Sequence, residues 1–288
     1  VGADVVVIDL ADLVPVAAKE LARRQAAEWL AVHRQRVTGG APLGRWVRIN
    51  PLGSRDWRAD LVAVMPGAPD GIILPDSLGP QSMQNLAAEI YELEQENHIP
   101  SGSTRIMPVT SGSGQAAMTI ANYVDASLPR LGGITWDCGA LASAIGASRH
   151  RDSRGGWTGA FAFVRAQVLL AAHARGLVAV DALPADITDD RLLKAAVRDA
   201  RADGFSGMQA FHPGQVPIIN AAFTPTEEEL ADARAVVAAM DGVAEHGSIQ
   251  LDRRIVGQPH LKLARRTLGL EAGQVVETRV KRPLLRSA

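Results

Sequence analysis

Short apolar, β-branched blocks recur along the 288-residue chain: Val5 to Leu10, Trp46 to Asn50, Gly71 to Pro75, Arg105 to Thr110, Gly133 to Asp137, Leu177 to Leu183 and Gly207 to Pro213. Each is bounded by polar, Gly or Pro residues and none alternates strictly, the pattern of parallel strands buried on both faces. Between them, Ala, Leu and Val recur at helical spacing among Arg, Glu and Lys, as in Ala17 to His33, Ser82 to Glu96, Trp157 to Arg175 and Arg191 to Asp203. This rhythm predicts βαβ units around a parallel sheet, and the length favours closure over an open, doubly wound sheet. The expected fold class is therefore α/β, a (β/α)8 TIM barrel with a C-terminal helical extension. Seven blocks are one short of a full barrel, so the first strand is expected to be missing from the chain, which runs from Val1 straight into a strand-like block; residues upstream are expected.

After Phe223 the pattern changes. Thr224-Pro225-Thr226 followed by Glu227-Glu228-Glu229 reads as a capped helix start with acids in its first turn. A helix to Met240, a strand-like piece at Ser248 to Val256 and a basic helix from Pro259 to Leu268 are predicted beyond it. The domains expected are a barrel domain over 1–223, carrying strands 2–8, and a C-terminal helical extension over 224–288. No repeat or low-complexity linker interrupts them.

Charge and composition narrow the partners. Thirty basic residues meet 31 acidic ones, without a run of five or more like charges, which argues against nucleic acid or a membrane surface and for a small-molecule substrate. The single cysteine, Cys138, excludes an intrachain disulfide framework and a cysteine-rich zinc site, and the cytoplasm is expected. No signal peptide is expected, and no apolar stretch reaches the roughly 18 residues that span a bilayer.

In a parallel barrel the chemistry sits at the C-terminal ends of the strands, and those segments carry a resemblance. Val7-Ile8-Asp9-Leu10-Ala11-Asp12-Leu13-Val14-Pro15 with Lys19 is similar to the "DLEDSVP…K" strand end of the citrate lyase β-subunit (HpcH/HpaI aldolase) superfamily. Trp46 to Leu52 is similar to its "VRVNPL", Ile72 to Pro75 to its "VLPK", Gly204 to Gln215 to its "GFDGK…HPAQ" and Ala222 to Glu229 to its "AFTPSEEE". The match runs in order through nearly the whole chain. It implies a lyase or thioesterase of small hydroxyacyl-CoA esters, or an aldolase of 2-keto acids, with Mg2+ as cofactor and assembly into homotrimers or hexamers. The last helix, with Leu261, Leu263, Ala264 and Leu268 on one face, is expected to be buried in such a homo-oligomer.

The resemblance also implies two anionic metal ligands, a Glu whose position is read as Thr110 and an Asp whose position is Ala140; neither can supply one. Other charged positions are replaced by Ala11, Asp76, Met208 and Gly257. The usual magnesium site is therefore expected to be absent, with no metal ligand and no other cofactor assigned. Asp76, Asp12 and Asp137 are the catalytic candidates; Arg48, Thr110, Ser111, Trp136 and Met208 are the substrate-binding ones. Arg48 offers a forked donor for an anion, or a structural ion pair with Asp9, Asp12 or Asp76. Asp9 suits a helix cap better than catalysis. His212 is expected to shape a corner, Cys138 to pack, and Gly112-Ser113-Gly114 to form either a phosphate cradle or a turn. Three readings stay open: a divergent C–C lyase or thioesterase acting on a small acyl-CoA or keto/hydroxy acid, a repurposed metal-free biosynthetic enzyme such as a cyclase with a larger apolar substrate, and a non-catalytic binding or regulatory homologue.

Overall fold

A computed structural model describes residues 2–33, 43–183, 189–243 and 247–270. The chain divides into two compact units, Val1–Ile219 and Asn220–Ala288. In the first, strands and helices alternate as β1 (Val5–Asp9), α1 (Lys19–His33), β2 (Gly44–Arg48), α2 (Trp57–Val64), β3 (Gly71–Leu74), α3 (Pro80–Glu96), β4 (Arg105–Pro108), α4 (Gly114–Met118), β5 (Gly133–Thr135), α5 (Cys138–Ile145), α6 (Gly159–Ala174), β6 (Val178–Asp181), α7 (Asp190–Asp203) and β7 (Gly207–Met208), with α8 (Val216–Phe223) leading out. The seven strands are parallel and pair in chain order, β1 to β4 and β5 to β7. Bridges Ile106–Leu131 and Val109–Thr135 join the two groups. Among the described residues there is no reversal of strand order, as in a barrel and unlike a doubly wound sheet.

The core follows from the two periodicities. Val47, Ile72, Leu74, Ile106, Ile134 and Ala179 are buried on the strands, while α3 turns Met83, Leu86, Ile90 and Leu93 inward at steps of three and four. Gly71 has no side chain because the Trp46 indole lies across it: an added Cβ would meet the ring at 2.5 Å. β1 departs from the both-faces-buried pattern, with Val5 and Val7 exposed. Among the described residues it pairs along one edge only, with β2.

One buried ion pair ties the crossover between β3 and β5. Glu94 has no exposed side-chain surface and meets the Arg130 guanidinium at 2.6 Å, while also accepting from the N–H groups of Gly102 and Thr104. Burial alone would push the Glu94 carboxyl up, but these donors outweigh it and hold it below its ordinary value. Because its folded pKa lies below the unfolded one, the stability it adds is present above the ordinary glutamate range and is lost as pH falls through the folded value. Urea midpoints measured down through that range will fall, and Glu94→Gln will flatten this limb. A limb unchanged in the variant would refute the assignment.

The second unit packs α9 (Glu227–Ala239) and α10 (Gln258–Thr267) with the hairpin β8 (Ser248–Leu251) and β9 (Arg254–Gly257). Thr226 and Glu229 form the expected reciprocal cap, each side chain bonded to the other's backbone N–H. The unit's core is Ala233, Val236, Met240, Val256, Leu261 and Ala264, with Leu268 packed against it. The apolar face of the last helix thus finds its burial inside its own unit rather than needing a neighbour, apart from Leu263, which is exposed. No helix of the described residues is long and apolar enough to cross a membrane.

Candidate active site

A cavity of about 370 Å³ opens past the ends of β1 to β5, its wall including Asp12, Arg48, Asp76, Gly112, Ala140 and Ser143. Beneath it, a hydrogen-bonded network fixes the first two strand ends. The Lys19 ammonium, buried under the turn after β1, donates to the carbonyls of Leu10 and Ala11 and to Asn50 Oδ1. Asn50 in turn donates through N and Nδ2 to Asp60 Oδ2, while Arg23 Nε donates to Asp60 Oδ1. Lys19 and Asn50 were legible as parts of motifs; Asp60 was not, since nothing in its spacing signals that it shares partners with them.

Arg48 projects from the end of β2 into a ring of carboxylates: Asp12 at 2.9 Å, Asp9 at 3.6 Å and Asp137 at 3.9 Å. Its Nε is buried with no hydrogen-bond partner. Burial pushes the Asp9 carboxyl up, with the Arg48 charge and the Ala11 N–H pulling the other way. Asp12 is 76% exposed, so it is the partner free to move. The sequence allowed Asp76 as an alternative partner of Arg48 to Asp9 and Asp12, but no ion pair joins them among the described residues. Asp76 instead accepts from Ser113 Oγ at 3.0 Å and adopts φ 44°, a left-handed conformation that aspartate tolerates better than most residues.

The other candidates lie elsewhere. Thr110 is fully buried and its hydroxyl donates to the Thr135 carbonyl, so it points between strands; the residues of this segment at the cavity wall are Val109 and Gly112, on either side of it. Ser111 is also buried and holds the turn after β5, donating to the Asp137 carbonyl and accepting from its N–H. Asp137 Oδ1 accepts from the Ala140 N–H and caps α5, leaving Oδ2 toward Arg48. Trp136 is buried with its indole N–H on Asp181 Oδ1 at 2.7 Å, part of a separate cluster with Arg165 and Trp157. Met208, half-buried on β7, pairs in register with Asp181. Neither Trp136 nor Met208 is part of the cavity wall. Gly112-Ser113-Gly114 is a turn whose serine caps α4 through the Ala116 N–H. His212 Nδ1 accepts from the Gly214 N–H, while its own N–H donates to Gln215 Oε1, which makes it a corner. Burial and the neighbouring Asp137 charge push the Cys138 thiol up to about 12, which leaves no thiolate for nucleophilic attack at neutral pH.

The HpcH/HpaI aldolase/citrate lyase family profile matches residues 1–213, most of the chain. The chain belongs to this family. A citrate lyase subunit beta-like protein of Mycobacterium tuberculosis is 33% identical over 260 residues, covering 90% of this chain and 85% of the relative. A (3S)-malyl-CoA thioesterase of Cereibacter sphaeroides is 30% identical over 273 residues, covering 93% and 86%. Among solved structures, protein CitE from Mycobacterium tuberculosis in complex with magnesium, acetoacetate and coenzyme A superposes with a TM-score of 0.70 at 30% identity, over 93% of this chain and 89% of that one. The barrel-like α/β architecture is shared with these family members.

The family's magnesium can be tested against the donors present. A hard cation needs anionic oxygens to offset its dehydration. Ala140 and Gly112 provide none at the cavity wall, Asp12 is turned to a guanidinium whose charge repels a cation, and Asp76 is left as one carboxylate. Among the described residues, no three His, Cys, Asp or Glu side chains come together as a metal-holding group. These residues do not make the two-carboxylate site that the resemblance implies.

Proposed function

We propose that this chain is a divergent lyase or thioesterase acting on a small hydroxyacyl-CoA thioester or keto acid, working without the carboxylate-held magnesium of its family. The observation that carries this reading is the Arg48 guanidinium at the cavity wall, with an exposed Asp12 as its nearest partner. A thioester or keto oxygen entering the cavity takes the place of Asp12, which swings into solvent, and Arg48 then carries the negative charge that develops on that oxygen. The Asp9 and Asp137 carboxylates keep the guanidinium pointed at the same spot, and Lys19, Asn50 and Asp60 hold the strand ends that bear it. Family membership and the thioesterase relative support the substrate class. Homo-oligomerisation is part of the same reading, with Leu263 of α10 left exposed; light scattering at micromolar concentration tests it, and a monodisperse monomer refutes it.

The test is to incubate the protein with malyl-CoA, citramalyl-CoA and 3-hydroxypropionyl-CoA, so that acyl groups with and without a terminal carboxylate are both offered, and to follow free thiol and acetyl-CoA, with and without chelator. Turnover that survives chelator and falls on the order of a hundredfold in Arg48→Met is expected, the loss typical of removing a group that stabilises developing charge. Activity abolished by chelator, or indifferent to Arg48, would overturn the proposal.

A further inference from the structure

The proposed reading leaves one cavity carboxylate without a task. Arg48 is surrounded by Asp9, Asp12 and Asp137, so its positive charge is already met by more than one negative charge before any ligand arrives. Asp76 adds a further carboxylate to the wall, and no arginine, lysine or histidine pairs with it among the described residues. Its place is built. Gly112 has no side chain where a Cβ would lie 2.8 Å from both the Cβ and Oδ1 of Asp76, and Ser113 donates to Oδ1 from the same turn. Among the described residues no hydrogen bond reaches Oδ2, and the residue is part of the cavity wall. A carboxylate held this way repels an anionic group beside it and accepts from a donor, so the wall sorts ligands by charge.

We infer that Asp76, seated against Gly112 and Ser113, is the specificity-determining residue of this cavity, selecting acyl groups whose far end carries an amino or hydroxyl donor and rejecting those that end in a carboxylate. The inference rests on the reading of the cavity as an acyl-CoA site, and it makes the preferred substrate an amino- or hydroxyacyl thioester rather than a dicarboxylic one.

The experiment uses three thioesters that differ only at the end of the acyl chain: β-alanyl-CoA, 3-hydroxypropionyl-CoA and malonyl-CoA. Their affinities are measured by calorimetry on the full chain and on Asp76→Asn. Asparagine keeps the shape of the side chain and tolerates the left-handed backbone as aspartate does, so the variant removes charge without disturbing the turn. The full chain is expected to bind the amino and hydroxyl thioesters about tenfold or more tighter than malonyl-CoA, the size of one unfavourable charge juxtaposition. In Asp76→Asn the preference collapses, chiefly because malonyl-CoA gains. Equal affinities in the full chain, or an order that survives in Asp76→Asn, would overturn the inference. If malonyl-CoA binds tightest and loses affinity in Arg48→Met, the inference falls while the acyl-CoA reading stands. If none of the three binds either protein, both fall.

Discussion

Replacing Asp60 with alanine will cost the first unit about 3–5 kcal/mol of stability, the range for removing one partner of a buried charge network. The side chain has no exposed surface. Oδ2 accepts from two donors of Asn50, at 2.8 and 2.6 Å, and Oδ1 from Arg23 Nε at 2.7 Å. Without it, Asn50 N–H has no acceptor and Arg23 keeps only the partly exposed Asp56. The damage will not stay local. Asn50 also donates to the Leu10 carbonyl and receives the Lys19 ammonium, so the turn bearing Asp12 and the strand end bearing Arg48 loosen together. Urea denaturation will show a lower midpoint at unchanged slope. A shift within the roughly 0.5 kcal/mol typical of surface substitutions would show that the network is ornamental.

Magnesium and manganese titrated into the protein will give no saturable heat, because Asp9, Asp12 and Asp137 are turned to the Arg48 guanidinium and the one carboxylate left, Asp76, offers too little charge to offset dehydration of a hard cation. Tight binding would overturn the claim and direct attention to Asp76 and Asp137 as ligands. The structure also decides how a site could be restored. Thr110→Glu would drive a carboxylate into the packed contact between Thr110 and the Thr135 carbonyl, and it is expected to unfold the protein rather than bind metal. Gly112→Glu with Ala140→Asp puts both carboxylates at the cavity wall, but the new Cβ at 112 would meet the Cβ of Asp76 at 2.8 Å and its Cα at 2.9 Å, so Asp76→Gly has to accompany them and the turn has to move slightly. Saturable metal binding by that triple variant, absent from the full chain, is the expected outcome.

The acid limb assigned to Glu94 has opposing contributions. Burial pushes the Asp9 and Asp181 carboxyls up, so their folded pKa values exceed the unfolded ones and their effect on stability becomes more favourable as pH falls. This is why the comparison with Glu94→Gln, and not the raw midpoint curve, is the informative one.

The seven strands, their parallel order and the capped start of α9 were all legible in the sequence, because each depends on local pattern: apolar runs too dense to alternate, helical spacing between them, and a Thr and Glu three residues apart at 226 and 229. So was the family, whose motifs lie at strand ends in a fixed order. The strand-end rule also directed attention to Asp12, Arg48 and Asp76, all of which the cavity wall brings together. What the sequence left open was direction. Whether Thr110 or Gly112 faces the cavity depends on the turn after β4, and whether Trp136 looks into the site or back toward Asp181 depends on what packs behind it. Around Arg48 the sequence offered Asp9, Asp12 or Asp76 as partners without choosing among them; only the tertiary structure pairs it with Asp9 and Asp12, turns Asp76 away and brings in Asp137 from the end of β5. Local propensity determines which segments become strands and helices; the placement of side chains past their ends is a matter of packing between segments, and only the tertiary structure decides it.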